Sequence, residues 1–339
     1  MAMKVIRVGV IGAGRIGKLH AENLATRIPG VEVVAVADPN FVFATELCEK
    51  LNIKNAYEDY HKILEDKSID AVAICSSTDT HAKILTEAAN AGKHVFCEKP
   101  IDHDLKKIDS ALDAVKKAGV KCQIGFNRRF DPNFKKVKEM IKEGKIGALH
   151  ILRITSRDPN PPPPEYVKVS GGIFLDMTIH DFDMARYLSG SEVVEVYAAG
   201  AVLVDPEIGK AGDIDTAIIT LKFANGAIGT IDNSRKAVYG YDQRVEVFGS
   251  GGMVAVTNNF PDSHIYSNGE EVSGSKPLYF FLERYSESFI AEMRGFVEAI
   301  RNNTDTPVMA IDGRKPILIA MAANKSLKEN RPVKLSEIE

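Results

Sequence analysis

The sequence predicts a doubly wound α/β Rossmann domain over residues 1–125. Over residues 126–339 it predicts an α+β domain built on a large, mostly antiparallel, open-faced sheet. Three observations carry this reading. Buried-strand and amphipathic-helix patterns alternate through the first part of the chain, as in a parallel sheet covered on both faces. A glycine-rich turn stands directly between the first strand and the first helix. From Glu192 onward, strand-length pieces are joined by Asn-Gly and Gly-Gly turns, which is hairpin chemistry. At 339 residues the chain also exceeds what one core usually serves.

The first strand and helix come from "VIRVGVIGAGRIGKLHAENLA". Its β-branched run from Val5 to Ile11 suits a central strand buried on both faces. Gly12, Ala13, Gly14, Arg15, Ile16 and Gly17 follow, then a helix-compatible stretch. In that context Gly12 makes the tight turn, Gly14 lets backbone approach a pyrophosphate, and Gly17 lets the helix pack closely. The helix N-terminus then faces the phosphates. The second strand, "VEVVAVAD", ends at Asp38, where a carboxylate can hydrogen-bond both ribose hydroxyls of an adenosine and repel a 2′-phosphate. An Asp there can also simply cap the turn before Pro39. With the glycines upstream, the ribose reading points to NAD rather than NADP.

Further units follow in "AVAICSST", "HAKILTEAANAG", "HVFCEKP", "LKKIDSALDAVKKAG" and "KCQIGFNRR". Ligands of such sheets bind beyond the carboxyl ends of the strands. Ser76, Ser77, Thr78, Glu98, Lys99 and Asn127 stand at such ends, and His81 lies in the helix after Thr78.

In the second domain, "FDPNFKKVKEMIKEGKIG" predicts a helix and "ALHILRITSRD" a strand. Pro161 to Pro164 predict an extended, hydrogen-bond-poor loop rather than an element. "GGIFLDMTIHDFD" predicts a helix on which Asp176 and His180, four apart, share a face. A carboxylate one turn from an imidazole suits three uses: a metal site with Asp183 as a further ligand, a proton relay, or a buried hydrogen bond. The later strands predict a sheet with helices on one face, and an open face of that size predicts self-association. "SFIAEMRGFVEAIRNN" and "GRKPILIAMAANKSLKEN" read as amphipathic helices of the same domain.

The formal net charge of −3, from 43 basic and 46 acidic side chains, argues against nucleic acid or an anionic membrane as partner. No stretch approaches the ~18 apolar residues of a membrane span. The four cysteines are well separated with no C-x-x-C pair, and the N-terminus has no signal-peptide h-region. These features predict reduced thiols and a cytoplasmic location.

Taken together, "GAGRIGKLHAENL", "CEKP" and "GGIFLDMTIHDFDMARYL" resemble the glucose–fructose oxidoreductase, inositol dehydrogenase and rhizopine-catabolism family, over essentially the whole chain. Within it the chain is most similar to the inositol 2-dehydrogenases, in "GFNRRFDP", "VSGGIFLDMTIHD" and "YGYDQR". The resemblance implies NAD-dependent oxidation of a cyclic polyol, myo- or scyllo-inositol, to the inosose. It places the family's catalytic lysine, aspartate and histidine on Lys99, Asp176 and His180. Its substrate-facing positions fall on Asn127, Arg128, Asp158 and Tyr241, and it implies a tetramer. "TSRDP" departs from some myo-inositol enzymes, with Ser156 for a histidine and Asp158 for an asparagine, which leaves the preferred isomer open.

Hydride transfer needs a base rather than a metal, and His180 has a suitable intrinsic pKa. Asp176 would then fix its tautomer and stabilise the imidazolium, while Lys99 polarises the reacting oxygen. The rival readings are an aldose dehydrogenase on the same scaffold, a non-catalytic dinucleotide sensor, and a glycosidase using NAD transiently. A sensor would be marked by loss of the lysine or histidine, and both are present.

Overall fold

The computed structural model describes residues 4–338, which form two compact units. The first contains the chain up to Phe130 together with Glu287–Lys315, and the second contains Asp131–Ser286 together with the chain from Pro316. No helix of the described residues is long and apolar enough to cross a membrane. All four cysteines are free, buried thiols.

The first unit is a six-stranded parallel sheet. Its strands are β1 (Ile6–Ile11), β2 (Val31–Ala37), β3 (Asn55–Tyr57), β4 (Ala71–Ile74), β5 (His94–Cys97) and β6 (Cys122–Ile124), in the order β3-β2-β1-β4-β5-β6. The winding direction therefore reverses between β1 and β4, where a crevice opens at the carboxyl edge. Register aligns that edge: Ile11 pairs with both Ala37 and Ile74, and Ile74 pairs with Cys97. The residues that follow, Gly12, Asp38, Cys75 and Glu98, consequently leave the sheet at one level.

One helix belongs elsewhere than its sequence position suggests. Ser286–Asn302 buries Met293, Phe296 and Val297 in the core formed by Ile6, Val8, Val10 and Phe96. Its apolar stripe shows that it must pack, but not against which of two cores. The division at residue 125 is thus replaced by one after Phe130, with Glu287–Lys315 returned to the first unit.

The second unit carries β7 (Leu149–Arg157), β8 (Val193–Ala201), β9 (Thr216–Phe223), β10 (Ile228–Ser234), β11 (Asp242–Gly249) and β12 (Gly252–Val256). A separate exposed hairpin, β13 (Ile265–Ser267) and β14 (Val272–Gly274), follows, and β15 (Val333–Lys334) closes one edge. The seven-stranded sheet runs β12-β11-β7-β10-β9-β8-β15, with every pair antiparallel except β7 and β10. Along β9 buried and exposed residues alternate, the mark of a sheet with one face open.

Two local expectations change. Pro164 is not loop: it is the first residue of the helix Pro164–Ser170, where its missing N–H costs nothing. The helix expected through Asp176 and His180 is in two pieces, Ile173–Asp176 and Ile179–Ser189. Thr178 explains the break. Its amide donates to the Ile173 carbonyl at 2.9 Å, and its hydroxyl donates to Asn233 Oδ1 at 2.6 Å.

Candidate active site

The glycine turn joins β1 to the helix Arg15–Thr26. Gly12 has φ +99°, and a β-carbon there would lie 2.6 Å from the backbone of Cys75 and Ser76. At Gly17 a β-carbon would overlap the Gly12 carbonyl oxygen, so helix and turn touch backbone to backbone. A β-carbon on Gly14 would meet nothing within 4 Å. Gly14 caps the helix without a side-chain hydrogen bond, leaving amide groups at an open helix start. This is a cradle into which a phosphate chain fits. Ala13 contributes its N–H to Asp38 Oδ2 at 2.7 Å, while Asp38 Oδ1 accepts from the Asn40 amide at 2.8 Å. The carboxylate at the end of β2 therefore braces the glycine turn as well as capping its own. Arg15 and Ile16 open the helix.

Beyond β4, Ser76 Oγ and Thr80 Oγ1 lie 2.6 Å apart, and Ser77 caps the helix that begins at Thr78. His81 is buried. Its Nδ1 lies 2.8 Å from the Pro100 carbonyl and its Nε2 3.0 Å from that of Ser76, so it ties the segment after β4 to the segment after β5. Glu98 and Lys99 leave β5 directly, and the Lys99 amide donates to Glu98 Oε2 at 3.3 Å. Asn127 and Arg128 lie buried on the 3₁₀ turn Asn127–Phe130, also in the first unit.

The second unit brings Asp176 together with a set of partners. Gly171 and Gly172 turn the chain, the latter with φ +85°, into the short helix ending at Asp176. A β-carbon on Gly172 would lie 2.9 Å from Asp213 Oδ1, which accepts the Ile173 amide at 3.1 Å. Asp176 Oδ1 accepts from the Tyr166 hydroxyl at 2.9 Å, and Oδ2 pairs with Arg235 Nη2 at 2.9 Å. Arg235 also reaches Asp158, Nη1 to Oδ2 at 3.4 Å. Burial alone would lower the Arg235 pKa; Asp176, then Asp158, outweigh it and leave the guanidinium above its usual value. Burial pushes the Asp213 carboxyl up.

His180 sits in the first turn of Ile179–Ser189, and its amide bonds to the Met177 carbonyl at 3.3 Å. Asp181 is buried and accepts from Asn233 Nδ2 at 2.9 Å; the same amide reaches the Ser156 carbonyl. Thr178, Asn233 and Asp181 thus lock the helix break onto β10. Tyr241 is buried, its ring edge-on to Tyr285 with centroids 6.0 Å apart. Ser156 is buried and donates to Gln243 Oε1 at 3.1 Å.

Sequence reasoning missed Tyr166, Asn233 and above all Arg235. Arg235 directly follows β10 and Asp158 directly follows β7 beside it, a juxtaposition of distant segments that residue type alone does not reveal. Among the described residues, the histidine, cysteine and carboxylate donors that converge are those of His20, Glu98 and Glu292, a set that lies in the first unit and includes neither Asp176 nor His180.

Residues 6–126 match the oxidoreductase family with an NAD-binding Rossmann fold, and residues 134–255 match the GFO/IDH/MocA C-terminal domain. The chain belongs to the GFO/IDH/MocA family. Its first unit is accordingly an NAD-binding Rossmann domain. It is 52% identical over 98% of its length to the myo-inositol 2-dehydrogenase of Thermotoga maritima, covering 99% of that protein. It is 44% identical to the inositol 2-dehydrogenase of Rhizobium meliloti, over 98% of this chain and 99% of that one. Among solved structures, scyllo-inositol dehydrogenase from Lactobacillus casei with bound NAD(H) and scyllo-inositol matches with a TM-score of 0.92 at 31% identity, covering 98% of this chain and 100% of that one.

Proposed function

We propose that this family member is an NAD-dependent inositol 2-dehydrogenase, oxidising a ring CH–OH of myo- or scyllo-inositol to the inosose. The observation that carries the reading is Asp176: a carboxylate fixed by Arg235 and Tyr166, placed just before the helix start that presents His180. Full-length likeness to inositol dehydrogenases supports the substrate class.

NAD, when bound, supplies the acceptor for the hydride that leaves the carbinol carbon. The protein residues handle the rest. His180 takes the hydroxyl proton as carbon–oxygen double-bond character develops. Asp176, already held by a cation on one oxygen and a hydroxyl on the other, stabilises the imidazolium without reorganising. Lys99 donates a hydrogen bond to the reacting oxygen. Asn127, Arg128 and Asp158 offer polar groups to the remaining hydroxyls. Asp38 gives the preference for NAD, since its carboxylate repels a 2′-phosphate. Initial rates of NADH formation across inositol isomers and simple aldoses test the reading; faster turnover of glucose than of any inositol would replace it with an aldose dehydrogenase.

The same reading includes a tetramer formed through the open sheet face, in a cytoplasmic protein of polyol catabolism. Across that face Ile228, Ile151, Phe248 and Met253 pair in one row. Beside it lie the pairs Arg153–Glu246 at 3.3 Å and Arg157–Asp232 at 2.6 Å. An apolar strip flanked by satisfied charges is the composition of a protein interface. Ile228→Lys should dissociate the assembly, read by light scattering; a wild-type mass of one chain at micromolar concentration refutes it.

A further inference from the structure

Inside the first unit, behind the row of strand ends, three ionisable side chains meet away from solvent. His20, on the first helix, is fully buried, with its ring edge-on to Phe96 and Phe289. Its Nε2 lies 2.7 Å from Glu98 Oε1 and 3.9 Å from Glu292 Oε1. Glu292 is fully buried on Ser286–Asn302, and neither of its carboxyl oxygens has a hydrogen-bond partner among the described residues. Its backbone is fixed, since Gln123 of β6 donates to the Glu292 carbonyl at 2.7 Å.

We propose that His20, Glu98 and Glu292 form a buried cluster that positions Lys99, with Glu98 as the link and Glu292 as a neutral carboxylic acid. This rests on the reading of Lys99 as the residue that polarises the substrate oxygen. The link is direct. One oxygen of Glu98 is held by His20, while the other accepts the Lys99 amide at 3.3 Å. The Glu98 amide is itself bound to the Ile74 carbonyl at 2.9 Å. Gly125 makes room: a β-carbon there would lie 2.9 Å from Glu98 Oε2. Glu98 is thus turned inward onto His20, with the Lys99 backbone tied to its other oxygen.

Glu292 cannot be a second carboxylate in this place. An ionised, unpartnered, buried carboxylate next to another carboxylate is expelled or neutralised by a proton. Burial, and then the Glu98 charge, push its carboxyl well above the ordinary range. Cys75, which faces the same carboxyl groups, is also raised by burial and remains a thiol, adding no charge. A divalent cation would be the other way to neutralise the set. Against that, His20 Nδ1 has no partner among the described residues, whereas a ligating histidine donates its second N–H.

The test is a double-mutant cycle read on steady-state kinetics with NAD and inositol. Glu98→Gln should lower kcat about ten- to a hundredfold, as for a reacting group displaced by a fraction of an ångström, with KM for NAD little changed. In the Lys99→Ala background the same substitution should have no further effect, because Glu98 acts only through Lys99. Equal losses in both backgrounds would mean a general structural role and overturn the proposal. Should Glu98→Gln fail to fold, His20→Gln takes its place with the same criterion. Lys99→Ala with wild-type kcat would instead sink the reading of Lys99 itself. Glu292→Gln, neutral and of the same shape, should keep kcat and melting temperature. A large loss in either, or a stoichiometric divalent metal in the wild type that this variant lacks, would show a charged or ligating Glu292. In the infrared, the wild-type holoenzyme should carry a protonated-carboxyl band that Glu292→Gln removes; its absence from the wild type also overturns the assignment.

Discussion

In the first unit the groups proposed to meet the cofactor stand beyond strand ends, and their places follow from backbone: Gly12 and Gly17, with no room for a β-carbon, and a parallel register that brings four strand ends level. In the second unit the backbone is broken at the residues proposed to carry the chemistry. Asp176 and His180 lie on separate helical pieces, and their surroundings are set by side-chain pairing, Arg235 on Asp176 and Thr178 on Asn233. The contrast teaches that one chain fixes its strand-end groups by backbone geometry in one unit and Asp176 by buried charge in the other. The first kind of site tolerates little change of shape, the second little change of charge.

The sharpest way to break the comparison is at His180. His180→Ala should lower kcat by roughly 10²–10⁴-fold, the range for a positioned acid–base group, while NAD affinity measured by fluorescence titration stays unchanged. Retention of most activity would make the broken helix purely structural.

Arg235 is next. Arg235→Met leaves Asp176, Asp158 and Asp213 without their common cation, and should destabilise the protein by about 3–5 kcal/mol in denaturant unfolding. The variant should also lose kcat, because Asp176 is no longer held. Unchanged stability would mean that the pairing is incidental.

The smallest effect belongs to Asp38. Asp38→Asn keeps an acceptor for the Ala13 amide but removes the charge, so the ratio of kcat/KM for NAD over NADP should narrow by roughly ten- to a hundredfold, the value of a charge-assisted hydrogen bond. An unchanged ratio would leave Asp38 as a brace for the turn alone.

Legibility in the sequence follows the same division. Gly12 and Gly17 are readable because only glycine meets the steric demand, so the residue type itself carries the geometry. The alternation of β9 is readable for a similar reason, since each strand position has one of two faces. Arg235 was not readable: "NSRKAVYG" shows a basic strand end, and nothing in it announces three carboxylates converging from distant segments. The break at Thr178 was hidden because threonine is tolerated within helices, and only its buried partner Asn233 makes its hydroxyl compete with the ladder. Tyr166 was obscured by the prolines before it, which look like a loop until the last of them is seen to open a helix.

The return of Glu287–Lys315 to the first unit has a consequence for biosynthesis. Ile6, Val8 and Phe96 leave the ribosome early, but Met293, Phe296 and Val297, which seal the same core, emerge only after the bulk of the second unit. At ordinary elongation rates that interval is roughly ten to thirty seconds, during which the nascent Rossmann sheet keeps an apolar surface uncovered. A chain arrested before Met293 would carry every glycine of the nucleotide turn and still lack its lid of phenylalanine and methionine. The domain that begins the protein cannot close its core until most of the other has been made.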